Sequence, residues 1–302
     1  MKIEERYENI YLLQKKALTR PEEITSLFPG RKICVCDFAI AGSENGRLGD
    51  YDETDYAGLL VIDHHIPIQR MQRQISSTVI ANAYVRQHGS LAADWAVATN
   101  HTDADSILSA LVMTGGLPAS DEWSEAAIAA DHTGEENLLS DVLQALEDDG
   151  NLEKSLAVAL KLSANKESLL EMPDVRQKVL QKRTIVRQML RQQVQQGAFH
   201  WQGNIAWIVL DGKVDAALAP ALLPEARVIV IASPMPPGSE KAWRIRARLG
   251  VSADGIDLSQ LQLPDTGGRW NAVSTSRHGG TNIGPQIYVS MLAEKLAGRQ
   301  GS

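Results

Sequence analysis

The first half of the chain alternates short, uninterrupted apolar runs with longer stretches whose apolar positions recur at helical spacing. The runs Lys32 to Phe38, Gly58 to Ile62 and Trp95 to Asn100 lack the period-2 polarity of a half-exposed strand. They predict strands covered on both faces, as in a parallel α/β sheet. Ser77 to Gln87 and Ser106 to Met113 predict helices, the second ended by Gly115 and Gly116. From about Leu138 to Gln196 the chain turns to Leu, Ala, Lys, Gln and Arg, interrupted at Gly150 and Pro173 and closed by Gly197, which predicts a helical bridge. The Arg, Lys and Gln density of Gln177 to Gln196 reads as a solvated helix face in preference to a nucleic-acid contact. Beyond it NIAWIVLD, ARVIVIAS and KAWRIRARLG predict strands around a helix-like VDAALAPALL. A Gly-rich segment, DTGGRWNAVSTSRHGGTNIGP, then leads into a last helix from Gln286 to Leu296. The expected architecture is α/β: a parallel-sheet catalytic domain over 1–140, a helical linker over 141–196, and a smaller α/β domain over 197–302.

A length of 302 residues allows two such domains, each with its own core. The longest apolar runs, such as Val228 to Ala232, are strand length, so no membrane contact is expected. The start, MKIEERYENIYLLQKK, is broken by charges where a signal peptide would be apolar, so the expected location is the cytoplasm. A net charge of −7 argues against a broadly basic clamp on long duplex nucleic acid and leaves short anionic substrates open. Cys34 and Cys36, two apart on one strand, read as buried reduced thiols.

The candidate chemistry lies where apolar runs end. CVCDF closes on Asp37, VIDHH on Asp63, His64 and His65, ATNHTDADS on His101, Asp103 and Asp105, and IAADHTG on Asp131 and His132. Residues just past the carboxyl ends of parallel strands converge on one crevice however far apart they are in sequence. In HTDAD the His and two Asp recur at every second position, so an extended segment aims all three to one side. Oxygen and imidazole donors without thiolate suit Mn²⁺, Mg²⁺ or Fe²⁺. Carboxylates crowded into one site would raise one another's pKa values, a conflict that two divalent cations remove. Taken singly, each stretch also has a structural reading: Asp37 as a turn residue, Asp131 as the polar end of a helix, Asp105 as the cap of a helix beginning at Ser106.

VIDHH resembles the signature of the DHH phosphoesterase superfamily, which includes RecJ-like nucleases, oligoribonucleases, cyclic dinucleotide phosphodiesterases and a class of inorganic pyrophosphatases. NHTDADSILSAL is similar in spacing to that family's first motif, Asp37 to its bridging Asp, Asp131 to the isolated Asp that follows, and SRHGGTNIG to the glycine-histidine motif of its substrate-binding domain. Here the HTDAD stretch follows the triplet, whereas in the family it comes first. The resemblance implies two Mn²⁺ ions, one held by His101, Asp103 and Asp37, the other by Asp105, Asp37, His64 and Asp131. It further implies that Asp63 orients a histidine, that His65 faces substrate, and that Arg269, Arg277, His278, Gly279 and Gly280 bind it.

The expected activity is therefore hydrolysis of small nucleotides or short single-stranded oligonucleotides, with two metals activating water. Pyrophosphate or polyphosphate hydrolysis is the alternative among enzymes, and a non-catalytic metal- and nucleotide-binding regulator the alternative outside them. Trp270 is the nearest candidate for a base-stacking platform, and Arg244, Arg246 and Arg248 alternate along one strand toward a cleft or an open sheet face. His88 and His200 carry no assigned task, and His132 stays open between ligand, supporting partner and bystander. A homodimer is open as well, with Trp123 and the amphipathic bridge available for an interface or for the core.

Overall fold

The computed structural model describes residues 1–16, 18–42, 59–65, 75–212 and 214–299. The chain divides into two units, Met1–Asp131 with Glu136–Gln181, and His132–Glu135 with Lys182–Ser302. The first is built on the strands β1 (Ile3–Tyr7), β2 (Ile10–Leu13), β3 (Ile33–Cys36), β4 (Leu59–Ile62) and β5 (Ala96–Thr99), in the spatial order β1-β2-β5-β3-β4. β1 pairs antiparallel with β2, while β2, β5, β3 and β4 run parallel. Every residue of those four parallel strands is buried. Successive side chains alternate between faces: Ile33, Val35, Leu59, Val61, Ala96 and Ala98 pack with Ile24 and Phe28 on one side. Cys34, Cys36, Leu60, Ile62 and Val97 pack with Ile107, Leu108 and Leu111 on the other. This two-sided cover accounts for the unbroken apolar runs.

Among its described residues the helices are α1 (Pro21–Thr25), α2 (Ser77–His88), α3 (Ala104–Thr114), α4 (Asp121–Ile128), α5 (Leu138–Leu146), α6 (Leu152–Ala164) and α7 (Pro173–Val179). Ser76 caps α2 by accepting from the Val79 N–H, and Asp103 caps α3 by accepting from the Ser106 N–H, each satisfying a donor that the first turn leaves open. Helix α3 thus begins before the expected Ser106, with Asp103 rather than Asp105 as its cap, which leaves the Asp105 carboxylate for another task. Trp123 is core: it is buried, and its indole N–H donates to the Pro118 carbonyl at 2.8 Å.

The second unit carries β6 (His200–Gln202), β7 (Ile205–Val209), β8 (Val228–Pro234), β9 (Trp243–Leu249), β10 (Gly267–Arg269) and β11 (Ala272–Ser274), ordered β10-β11-β9-β8-β7-β6, with helices α8 (Ile185–Gln195) and α9 (Pro285–Arg299). Among the described residues of this unit only β7 and β8 pair in parallel. Leu190, Phe199, Ile208, Leu218, Ile229 and Ile231 form its core.

Several expectations differ from what is observed. The segment expected as a linker over 141–196 is divided at Gln181 between the two units. VDAALAPALL forms two 3₁₀ turns, Ala216–Leu218 and Pro220–Leu222, because Pro220 supplies no N–H and fixes its own φ where a helix would continue. The supposedly solvated face of Gln177 to Gln196 buries Arg183 and Arg187. Arg183 pairs with Asp215 at 2.5 Å, and Arg187 Nη2 donates to the Glu135 carbonyl at 3.4 Å. Gly58, part of the second expected strand, lies outside the described residues. Among the described residues no helix is long and apolar enough to cross a membrane.

Candidate functional site

Strands β5, β3 and β4 are neighbours in the first sheet, so the segments leaving them start side by side. Asp37 follows β3, Asp63 to His65 follow β4, and Asn100 to Asp105 follow β5. The Asp37 N–H donates to the Ile62 carbonyl at 2.9 Å, so the ladder runs one residue past β3. There the backbone turns left-handed, with φ 63° at Asp37, a conformation that Asp tolerates better than most residues with a Cβ. The fourth stretch is not a strand end. Asp131 sits in a π-helical turn, Ala129–Thr133, directly after α4.

These residues gather in the first unit. Ligand atoms of Asp37, His64, Asp105 and Asp131 lie within 4.8 Å of one another, as do those of Asp37, His101 and Asp103, and those of Asp37, His64 and His65. Asp37 belongs to every group, and its two oxygens face different ones. Oδ1 is 3.4 Å from His64 Nε2, and Oδ2 is 3.2 Å from His101 Nε2. His64 Nε2 is also 3.2 Å from Asp131 Oδ2 and 3.6 Å from Asp105 Oδ2, while His101 Nε2 is 3.0 Å from Asp103 Oδ2. Asp37, Asp63, His64 and Asp105 are wholly buried.

Hydrogen bonds around the cluster fix how its members point. The Asn100 amide donates through Nδ2 to the Lys16 carbonyl at 3.0 Å, and its Oδ1 lies 2.7 Å from His101 Nδ1. With the amide oxygen as acceptor, the His101 Nδ1–H is held by Asn100, and Nε2 is the nitrogen turned toward Asp37 and Asp103. His65 Nδ1 meets Asp63 Oδ1 at 2.6 Å. Asp105 accepts from the Ser77 N–H at 2.6 Å, the Thr78 N–H at 2.7 Å and the Thr78 hydroxyl at 2.6 Å. Asp37 accepts from the Ser77 hydroxyl through Oδ1 at 2.9 Å and from the Ser106 hydroxyl through Oδ2 at 2.8 Å. Asn100, Ser77, Thr78 and Ser106 escaped the sequence reading. The adjacency of Ser106 to Asp105, and the Ser-Ser-Thr run opening a helix, were the signals available for three of them.

Electrostatics shows what such a cluster requires. Burial alone would raise the Asp37 carboxyl, but hydrogen bonds from His101 and His64 outweigh it and hold the group well below the usual range. Burial would likewise lower His64 and His101, yet Asp131 and Asp37 hold His64 well above its ordinary value, and Asp103 and Asp37 do the same for His101. Asp105 is pushed far up by burial and by the neighbouring Asp37 charge, against the pull of His64. At the rim, burial and Asp103 raise Glu147 to about 7, opposed by His101 and Lys15. The cluster therefore collects protons to offset its own carboxylates, the place that cations take in a metal centre. Carboxylate oxygens with imidazole nitrogens and no thiolate fit hard divalent ions such as Mn²⁺, Mg²⁺ or Fe²⁺.

The remaining candidates lie in the second unit. Arg269 is half-buried on β10, whereas Arg277 and His278 are exposed on the 3₁₀ turn Thr275–His278. Gly279 ends that turn with φ 76°, and at Gly280 a Cβ would come within 2.9 Å of the Trp243 carbonyl oxygen, so a side chain is excluded there. Trp270 offers no open stacking face: it is buried, with its ring 5.7 Å from that of His132. His132 itself is buried, its Nδ1 3.5 Å from the Asn271 amide nitrogen. Arg246 donates to the Val214 carbonyl at 2.5 Å and Arg248 is buried, so the arginine alternation on β9 does not form an open sheet face. His88 and His200 stack on Tyr84 and Trp207.

Fold and site together define an α/β protein with a buried carboxylate–imidazole cluster on the carboxyl side of a parallel sheet. No family model matches the sequence, and no curated protein matches it. Among solved structures the chain is similar to a pGpG-specific phosphodiesterase, PggH of Vibrio cholerae, at 15% identity over 80% of this chain and 81% of that one, with a TM-score of 0.47. A likeness of that degree carries neither fold nor activity over to this chain.

Proposed function

We propose that the protein is a metal-dependent phosphoric ester hydrolase that cleaves small nucleotides or short single-stranded oligonucleotides, working with two Mn²⁺ ions. The observation that carries this reading is the division of Asp37 between two ligand groups, Oδ1 toward His64 and Oδ2 toward His101. One ion would be held by His101, Asp103 and Asp37, the other by Asp105, Asp37, His64 and Asp131. Such a pair supplies an acidified water and positive charge for the entering and leaving oxygens at phosphorus. The resemblance of VIDHH and HTDAD to the DHH phosphoesterases supports the same reading. Altered motif order is no obstacle, because a metal site needs neighbouring strand ends and is indifferent to their order along the chain.

The chain's own groups then have defined tasks. Asp63 holds the Nδ1 proton of His65, so that Nε2 faces substrate and, when protonated, donates to a phosphate oxygen as charge builds there. Arg269, Arg277 and His278, with the backbone N–H groups of Gly279 and Gly280, bind the phosphates. The test is a Mn²⁺-supplemented screen of dinucleotides, cyclic dinucleotides, phosphoadenosine phosphate and pyrophosphate, run beside Asp37→Asn. Turnover of a nucleotide that is lost in the variant is expected. Turnover confined to pyrophosphate overturns the substrate class, and tight Mn²⁺ binding without any hydrolysis overturns the enzyme.

A further inference from the structure

Two serines stand at corresponding places in the site. Ser77, in the first turn of α2, gives its N–H to Asp105 Oδ2 at 2.6 Å and its hydroxyl to Asp37 Oδ1 at 2.9 Å. Ser106, in the first turn of α3, gives its N–H to Asp103 Oδ1 at 3.0 Å and its hydroxyl to Asp37 Oδ2 at 2.8 Å. In each case the two bonds serve the same ligand group. Asp105 and Asp37 Oδ1 face His64, whereas Asp103 and Asp37 Oδ2 face His101.

Helix capping does not account for these hydroxyls. The Ser76 side chain caps α2 and the Asp103 side chain caps α3, so neither helix start needs the oxygen of Ser77 or Ser106. Both serines are wholly buried, and a buried hydroxyl adopts a lasting partner because an unpaired one is costly. Here the partner is, both times, the carboxylate common to the two groups.

We infer that Ser77 and Ser106 are positioning residues, each assembling one half of the two-cation site by fixing one Asp37 oxygen together with one further carboxylate. This rests on the two-cation reading above. Without the Ser77 hydroxyl, Asp37 stays tethered through Oδ2 and pivots at Oδ1; without Ser106 the reverse holds. Each loss therefore weakens one cation position and spares the other.

Electron paramagnetic resonance titration of free Mn²⁺ against the full chain separates the positions when one ligand group is disabled. Asp103→Asn keeps a capping side chain and leaves the His64 group; Asp131→Asn leaves the His101 group. Adding Ser77→Ala is expected to weaken binding about 10–100-fold in the Asp103→Asn background, the usual cost of losing a partner that orients a ligand. In the Asp131→Asn background its effect stays within about twofold. Ser106→Ala gives the opposite pattern. Ser77→Cys and Ser106→Cys, of similar shape and weaker as donors, show the same crossed selectivity in smaller measure and carry the test if an alanine variant does not fold. Equal weakening in both backgrounds, or none, overturns the pairing of each serine with one position. A parent protein that binds no Mn²⁺ overturns the two-cation reading itself, and the pairing with it.

Discussion

Asp37→Asn is the most revealing single substitution, because it preserves shape and a side chain tolerant of the left-handed turn at φ 63° while removing the one charge common to both ligand groups. A cation present at 100 times its dissociation constant stabilises the fold by about 2.7 kcal/mol, so two contribute roughly 5 kcal/mol. At about 2–4 °C per kcal/mol for a domain of 150–250 residues, the parent gains on the order of 10–20 °C in Tm on adding Mn²⁺. With Oδ1 at 3.4 Å from His64 and Oδ2 at 3.2 Å from His101, an amide in place of the carboxylate leaves a single neutral acceptor between the two groups. If each site then weakens by about 100-fold, the gain at the same free Mn²⁺ falls below about 1 kcal/mol, or a few degrees. Asp103→Asn and Asp131→Asn each touch one group and keep about half of the parental shift. The assay is thermal unfolding with Mn²⁺ and with a chelator. An Asp37→Asn shift equal to that of either single-group variant would refute the sharing of Asp37.

His65→Asn lowers kcat by about 10²–10⁴ while the protein still binds two Mn²⁺; loss of one ion instead makes His65 a ligand. Glu147 has its folded-state pKa raised to about 7 from 4.5, so in the metal-free protein the folded state holds a proton that the unfolded chain has released. Stability therefore falls as pH rises between those values. Allowing for solvent contact, Glu147→Gln removes about 1–2 kcal/mol of that fall, read from chemical denaturation across the window, and an unchanged slope contradicts the assignment. Arg277→Ala and His278→Ala raise KM by about 10–100-fold each, the worth of a charge-assisted hydrogen bond to phosphate, with the Mn²⁺-induced Tm shift untouched. Unaltered KM in both variants removes that turn from substrate binding.

Three of the four parallel strands were legible because a strand buried on both faces must be apolar throughout, and Ile33–Cys36, Leu59–Ile62 and Ala96–Thr99 are nearly so; the short run Ile10–Leu13, set among charged residues, was not legible as the fourth. The gathering of Asp37, His64, His101, Asp103 and Asp105 was legible for the related reason that parallel strand ends share a rim. Where sequence reasoning failed, the residue's meaning came from a distant partner. Arg183 and Arg187 lie four apart on one helix side and look like a solvated face, yet that side is buried and their charges meet Asp215 and the Glu135 carbonyl. The edge strand β1 carries Glu4, Glu5 and Arg6 and follows no apolar run, so pairing with β2 alone reveals it. Ser77, Ser106 and Asn100 resemble ordinary helix-start and loop residues, because a short polar side chain gives the same signal whether it meets water or a buried carboxylate. Asp131 joins the cluster as well, although its carrier is a helix end and not a strand.

Anomalous diffraction at the manganese edge from crystals grown with Mn²⁺ tests the central claim most directly. Two peaks about 3.5–4 Å apart are predicted, one beside His101 and Asp103, the other beside His64, Asp105 and Asp131, with one Asp37 oxygen toward each. A single peak, or ions that leave Asp37 without contact, contradicts the account.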